Sequence, residues 1–156
     1  MTPIQHTITL SSAQDTTDLA TQIGRGLSAG DCLLLEGGIG AGKTHFARSL
    51  IQSLLEFPED VPSPTFTLIQ IYDTTKGELW HADLYRLGSV DDVVELGLDD
   101  AMSSAICLIE WPDRLAELTP EHALTLSFSL DETLADTRYL KFAWTDQKWS
   151  NLLELT

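Results

Sequence analysis

Residues Gly37 to Thr44 read GGIGAGKT, a match to the pattern G-x-x-x-x-G-K-[ST]. The apolar run Cys32 to Leu35 precedes this stretch, and a helical pattern starting at Lys43 follows it. The order strand, loop, helix has a physical basis. A strand delivers the loop rigidly, and glycines let backbone N–H groups curl around a phosphate with no Cβ in the way. The helix behind adds its positive N-terminal end. In this frame Lys43 is expected to reach the β- and γ-phosphates as a mobile charge, and the Thr44 hydroxyl to ligate the accompanying magnesium. Gly37, Gly40, Ala41, Gly42, Lys43, Thr44 and His45 are therefore the candidate nucleotide-binding residues.

On either side of the loop the pattern alternates between strands and helices. His6 to Leu10 alternates like a short strand, and Ser12 with Asp15 forms a capping-box pattern before Leu19, Ile23 and Leu27 at helical spacing. After the loop, Phe46, Ala47, Leu50, Ile51 and Leu54 form one apolar stripe suited to packing on a sheet. Pro58, Pro62 and Pro64 interrupt regular structure and leave Ser63 to Phe66 in a loop. Thr65 to Tyr72 and Glu78 to Asp83 then predict a hairpin joined by DTTKG. Ser89 with Asp92 repeats the capping-box pattern, and Ala105 to Glu110 predicts a buried strand that Trp111 and Pro112 terminate. His122 to Leu130 and Thr137 to Trp144 predict a second hairpin, and Trp149, Leu152 and Leu153 a final amphipathic helix. The expected architecture is a single α/β domain over residues 1–156, of P-loop type, with a central mixed, largely parallel sheet flanked by helices and carrying β-hairpins.

With 9 basic against 24 acidic residues, the formal charge of −15 sets the chain against tight, direct binding to a nucleic-acid backbone. A basic patch on a partner protein is the more natural counterpart. Cys32 and Cys107 both lie in apolar strand-like runs and read as reduced core thiols. The N-terminus lacks a basic segment followed by an apolar stretch, and no apolar run approaches the roughly 18 residues of a membrane span, so the expected location is cytoplasmic.

Elimination narrows the nucleotide chemistry. A switch GTPase needs an NKxD element, and the one asparagine, Asn151, forms none; no aspartate has a glycine three residues later, and no LSGGQ-like signature of transporter ATPases is present. A small-molecule kinase stays open, with only Arg25, Arg48, Arg86, Arg114 and Arg138 available to clamp a transferred phosphoryl group. So does a binding module that uses nucleotide occupancy without turnover.

Phosphoryl transfer needs magnesium on the β- and γ-oxygens and a group that positions the nucleophile. Ligands in open α/β sheets bind beyond the carboxyl ends of strands, so Glu110, closing AICLIE, is the first candidate for a magnesium-linked or water-orienting acid. Asp83, closing ELWHAD, is the second, with an ion pair to Arg86 as its structural alternative. Thr65, in SPTF, suits either a γ-phosphate sensor or a turn hydroxyl. His81 reads as a buried, hydrogen-bonded histidine, and no second histidine or cysteine stands at zinc-ligand spacing. Trp111 suits either packing on a nucleotide or partner, or the core.

Together GGIGAGKT, SPTFTLIQIY, HADLYRL, ELGLDD and LIEWPDRL resemble, in order and separation, the bacterial TsaE family. These are small ATPases that take part in making threonylcarbamoyladenosine in transfer RNA. The resemblance covers about Leu33 to Trp111, and SPTF and DLYRL make it specific. It implies ATP and Mg2+ binding with slow hydrolysis, activated on docking to the partner pair TsaB and TsaD, where TsaD carries out the transfer to the anticodon-adjacent adenosine. By matching positions, Lys43 and Thr44 would hold phosphates and magnesium, Thr65 and Asp83 would serve the switch and metal region, and Glu110 would coordinate magnesium or position water. Arg138 would match a nucleotide-proximal arginine. Departures from the family pattern stand at Gly38, often an acid or amide, and His45, often a second threonine.

Overall fold

The structure is a computed structural model that describes residues 2–38, 40–64 and 67–153. Its centre is built from the two most apolar runs. Strand β2 (Cys32–Glu36) and strand β5 (Ile106–Glu110) lie side by side in parallel, pairing Cys32 with Cys107 and Leu35 with Glu110. Continuous apolar sequence suits a parallel strand because helices cover both its faces. Strand β6 (Leu124–Leu130) flanks β2 and strand β4 (Gly77–Asp83) flanks β5, both in parallel. The edges are antiparallel: β3 (Ile69–Thr74) on β4, and β7 (Arg138–Trp144) on β6 with β1 (Ile4–Leu10) outside it. The seven strands run in the order β1-β7-β6-β2-β5-β4-β3, a mixed sheet whose parallel pairing is confined to its centre.

Helices α1 (Ala13–Arg25) and α2 (Lys43–Leu54) cover one face. The predicted stripe Phe46, Ala47, Leu50, Ile51 and Leu54 is buried there with Ile23, Leu33 and Leu108. The short helices α3 (Val90–Glu95) and α4 (Leu98–Ala101), with a 3₁₀ segment over Pro112–Leu118, cover the other face around Leu34, Ile109 and Leu115. Helix α5 (Gln147–Leu152) closes the described chain, its Trp149 indole donating to the His122 carbonyl at 2.6 Å. No helix among the described residues is long and apolar enough to cross a membrane.

Both cysteines are free and buried, and burial pushes the Cys107 thiol up to about 12 and the Cys32 thiol well above its ordinary value. The reading of both as core thiols holds.

Local departures have local causes. Strand β3 begins at Ile69, four residues after the expected start. Leu68 sits in the left-handed region (φ 68°), and its N–H donates to the Pro64 carbonyl at 2.7 Å, a turn that delays the ladder. The Ser12 hydroxyl caps α1 by accepting the Asp15 N–H, but the Asp15 carboxylate reaches back to the Ser11 N–H, one residue past the N-cap N–H of a reciprocal box. Ser89 makes no side-chain cap on α3.

Candidate nucleotide-binding site

The parallel centre brings the carboxyl ends of β2, β4 and β5 to one edge of the sheet. From β2 the chain turns through the glycine loop into α2. Gly37 has φ 139°, and a Cβ there would sit 2.6 Å from the Phe128 carbonyl oxygen of β6, so any other residue is strained at this position. Gly42 (φ 113°) occupies the N-cap of α2 in the left-handed region, where its carbonyl accepts the Phe46 N–H at 3.0 Å. The first-turn N–H groups of a helix lack intrahelical acceptors, so the loop ends in a cluster of donors at a positive helix end.

A cleft of about 360 Å³ opens over this loop, lined by Gly40, Gly42, Lys43, Thr44, His45, Asp83, Glu110, Trp111 and Arg138. Of the residues singled out in the sequence, Lys43, Thr44, Asp83, Glu110 and Arg138 converge here. Gly37 and Ala41 shape the loop from beneath, Ala41 being buried in the α1–α2 core. Thr65 lies outside the described residues.

Two of the acids are set by strand register. Asp83 and Glu110 are direct partners across the parallel β4–β5 pair, so their side chains leave the same face of the sheet. Glu110 is 2% exposed, and its Oε1 accepts from the Thr44 hydroxyl at 3.3 Å while its Oε2 lies 2.8 Å from His81 Nε2. Asp83 is also buried, and its Oδ1 accepts the Tyr85 N–H at 3.0 Å.

The cations are arranged differently. Lys43 Nζ stands 4.0 Å from the centroid of the Trp111 ring, a cation–π contact, and Trp111 in turn packs on Tyr85 with centroids 4.9 Å apart. Burial pushes the Lys43 ammonium below its ordinary range, opposed by the carboxylates of Glu110, Asp83 and Asp113. Trp111 is aimed by a left-handed backbone (φ 57°) between β5 and Pro112. Arg138 donates to the Ala135 carbonyl at 2.8 Å. His45 borders the cleft, but its Nε2 lies 3.1 Å from the Ala13 carbonyl and 3.2 Å from the Thr17 hydroxyl, so its ring ties α2 to α1.

The contact between His81 and Glu110 was not anticipated. Its signal in the sequence is the spacing H-A-D, which puts His81 and Asp83 on one face of a strand. Only the pairing of β4 with β5 brings Glu110 to them.

A strand–loop–helix phosphate cradle at the edge of a parallel sheet centre, with a lysine, a threonine and a buried acid beside it, is the fold and loop of the P-loop nucleotide-binding class. Within that class the comparisons are specific. The family model described as threonylcarbamoyl adenosine biosynthesis protein TsaE matches residues 10–139. The chain belongs to the TsaE family. It is 38% identical over 110 residues to the tRNA threonylcarbamoyladenosine biosynthesis protein TsaE of Rickettsia prowazekii (strain Madrid E), covering 70% of this chain and 76% of that protein. Against the protein of the same description in Rickettsia felis (strain ATCC VR-1525 / URRWXCal2), identity is 32% over 145 residues, 93% of this chain and 83% of the other. The structure is similar to the crystal structure of YdiB from Bacillus subtilis, with a TM-score of 0.75 and 26% identity over 99% of this chain and 95% of that one.

Proposed function

We propose that this chain binds ATP with Mg2+ and hydrolyses it slowly by itself, faster when docked on the TsaB and TsaD proteins, in the formation of threonylcarbamoyladenosine in tRNA. The observation that carries the reading is the contact between Thr44 and Glu110, which joins the last residue of the phosphate loop to the strand-end acid. The donors present are hard oxygens, the kind magnesium selects: the Thr44 hydroxyl and the carboxylates of Glu110 and Asp83. No group of three or more His, Cys, Asp or Glu side chains forms a metal cage among the described residues. That suits an ion that takes its remaining ligands from phosphate and water. When bound, magnesium would neutralise charge on the terminal phosphates.

Each residue then has a task. The α2 N-terminus and the loop N–H groups hold phosphate oxygens. Lys43 leaves the Trp111 ring for the β- and γ-phosphates, and Arg138 serves the nucleotide from the β7 side. Thr44, Asp83 and Glu110 hold the metal end. Thr65 belongs to the segment expected to sense the γ-phosphate. ATP is favoured over GTP by the missing NKxD element.

The resting geometry supports slow turnover. Both Glu110 oxygens accept hydrogen bonds and Lys43 rests on Trp111, so both groups are engaged before the substrate arrives. The role of partners is supported by a surface of charge −15, which favours a basic protein face over direct contact with RNA. The test is phosphate release from Mg-ATP by the purified chain, alone and with the TsaB–TsaD pair. Acceleration by the pair is expected. Tight nucleotide binding with a rate unchanged by the pair would replace this reading with a nucleotide-gated binding module.

A further inference from the structure

We propose that His81 is a positioning residue for the strand-end acid: its Nε2–H fixes one oxygen of Glu110 so that the other is presented to Thr44 and the bound cation. The inference rests on the nucleotide-and-magnesium reading above and assigns a role to a residue that makes no contact with the cleft.

The two residues are 1% and 2% exposed, and the distance between His81 Nε2 and Glu110 Oε2 is 2.8 Å. A carboxylate only accepts hydrogen bonds, so Nε2 carries a proton and is the donor. The other ring nitrogen, Nδ1, is buried with no hydrogen-bond partner among the described residues. Most buried polar side-chain atoms have a partner, so an orphaned ring nitrogen calls for an explanation other than core stability. Here the ring is anchored at one end only, and that end is the acid.

The effect on Glu110 follows from geometry. Three side-chain torsions separate its carboxylate from the strand, and the bond from Thr44, at 3.3 Å, is too long to fix them. The contact with His81 is shorter and charge-assisted, so it sets the plane of the carboxylate. It also engages Oε2. Held there by His81, Glu110 presents Oε1 to the threonine and the cation.

The experiment uses the full chain as wild type, His81→Leu and His81→Gln, with Mn2+ as a paramagnetic stand-in for Mg2+. A glutamine amide nitrogen reaches about as far as histidine Nε2 and donates as it does; leucine cannot. Mn2+ affinity is measured by electron paramagnetic resonance in the complex with a non-hydrolysable ATP analogue, and metal-free nucleotide affinity by calorimetry. His81→Leu should weaken Mn2+ binding about 10- to 100-fold, the range found for residues that orient metal ligands. Metal-free nucleotide affinity should change less than about 3-fold, and His81→Gln should recover most of the metal affinity. Equal Mn2+ affinity in wild type and His81→Leu overturns the proposal, as does His81→Gln binding no better than His81→Leu. A wild type that shows these Mn2+ effects without hydrolysing ATP leaves the His81 assignment standing and removes the ATPase reading. A wild type that binds no nucleotide removes both.

Discussion

The Thr44 hydroxyl, at the first turn of α2, donates to Glu110 Oε1 at the end of β5 across 3.3 Å. The two residues are 66 positions apart, and only the parallel pairing of β2 with β5 brings the phosphate loop and the strand-end acid to the same edge. Around that contact the proposed function divides the site into a phosphate side, formed by the loop and Lys43, and a metal side, formed by Thr44, Asp83 and Glu110.

The loop geometry depends on Gly37. A Cβ there would lie 2.6 Å from the Phe128 carbonyl, and φ 139° is strained for any other residue. Gly37→Ala should therefore cost about 2–4 kcal/mol, from backbone strain and overlap together. In a chain of this size that lowers Tm by about 5–15 °C. Gly38 has nothing within 4 Å of a built Cβ, so Gly38→Ala is the control, expected within about 2 °C of wild type. Thermal unfolding of the two variants checks the difference; equal melting temperatures would show that the loop relaxes freely.

The Lys43–Trp111 contact predicts an optical signal. Trp111 lines the cleft under an ammonium 4.0 Å away, whereas Trp144 and Trp149 are buried with α5 and Trp80 donates to Glu78 on β4. When phosphates draw Lys43 off the ring, Trp111 alone loses its cation. ADP or ATP should change the intrinsic fluorescence of wild type, and Trp111→Phe should abolish the change while binding persists by calorimetry. A full response in Trp111→Phe would mean that the lysine does not move as described.

Much of the site was legible because its parts are local in sequence. GGIGAGKT carries its own geometry, and CLLLE and ICLIE mark buried strands whose last residue is an acid at the sheet edge. The helical stripe from Phe46 to Leu54 was likewise readable from period alone. What stayed hidden depends on which strand lies beside which. Nothing near His81 names Glu110 as its partner, and nothing near Lys43 names Trp111. The pairing of β1 with β7 joins opposite ends of the chain, and no local pattern encodes it. The strand boundary was misread because Leu68, an apolar residue in a left-handed turn, looks in sequence like part of a strand.

A pH effect is expected in the β6–β7 turn. Asp131 accepts from the Tyr139 hydroxyl and from the Thr133 and Leu134 N–H groups, and these bonds, led by Tyr139, hold its carboxyl well below the usual range. A carboxyl with a lowered folded pKa stabilises the fold above its unfolded value of about 4, and that contribution is lost as pH falls toward the folded pKa. Carbon-detected NMR titration should find the Asp131 carboxyl ionised well below the usual carboxylate range. Tyr139→Phe should move its midpoint upward. An Asp131 titration unchanged by that substitution would remove the tyrosine as its main support.

The metal side is tested most directly by the rate of phosphate release from saturating Mg-ATP in the presence of the TsaB–TsaD pair, compared between wild type and Glu110→Gln. The substitution keeps the size of the side chain and removes its charge beside Thr44. The account predicts a drop of about 10²-fold, the scale of losing one preorganised electrostatic group, with nucleotide affinity within a few-fold of wild type. Glu110→Gln turning over at the wild-type rate would contradict it.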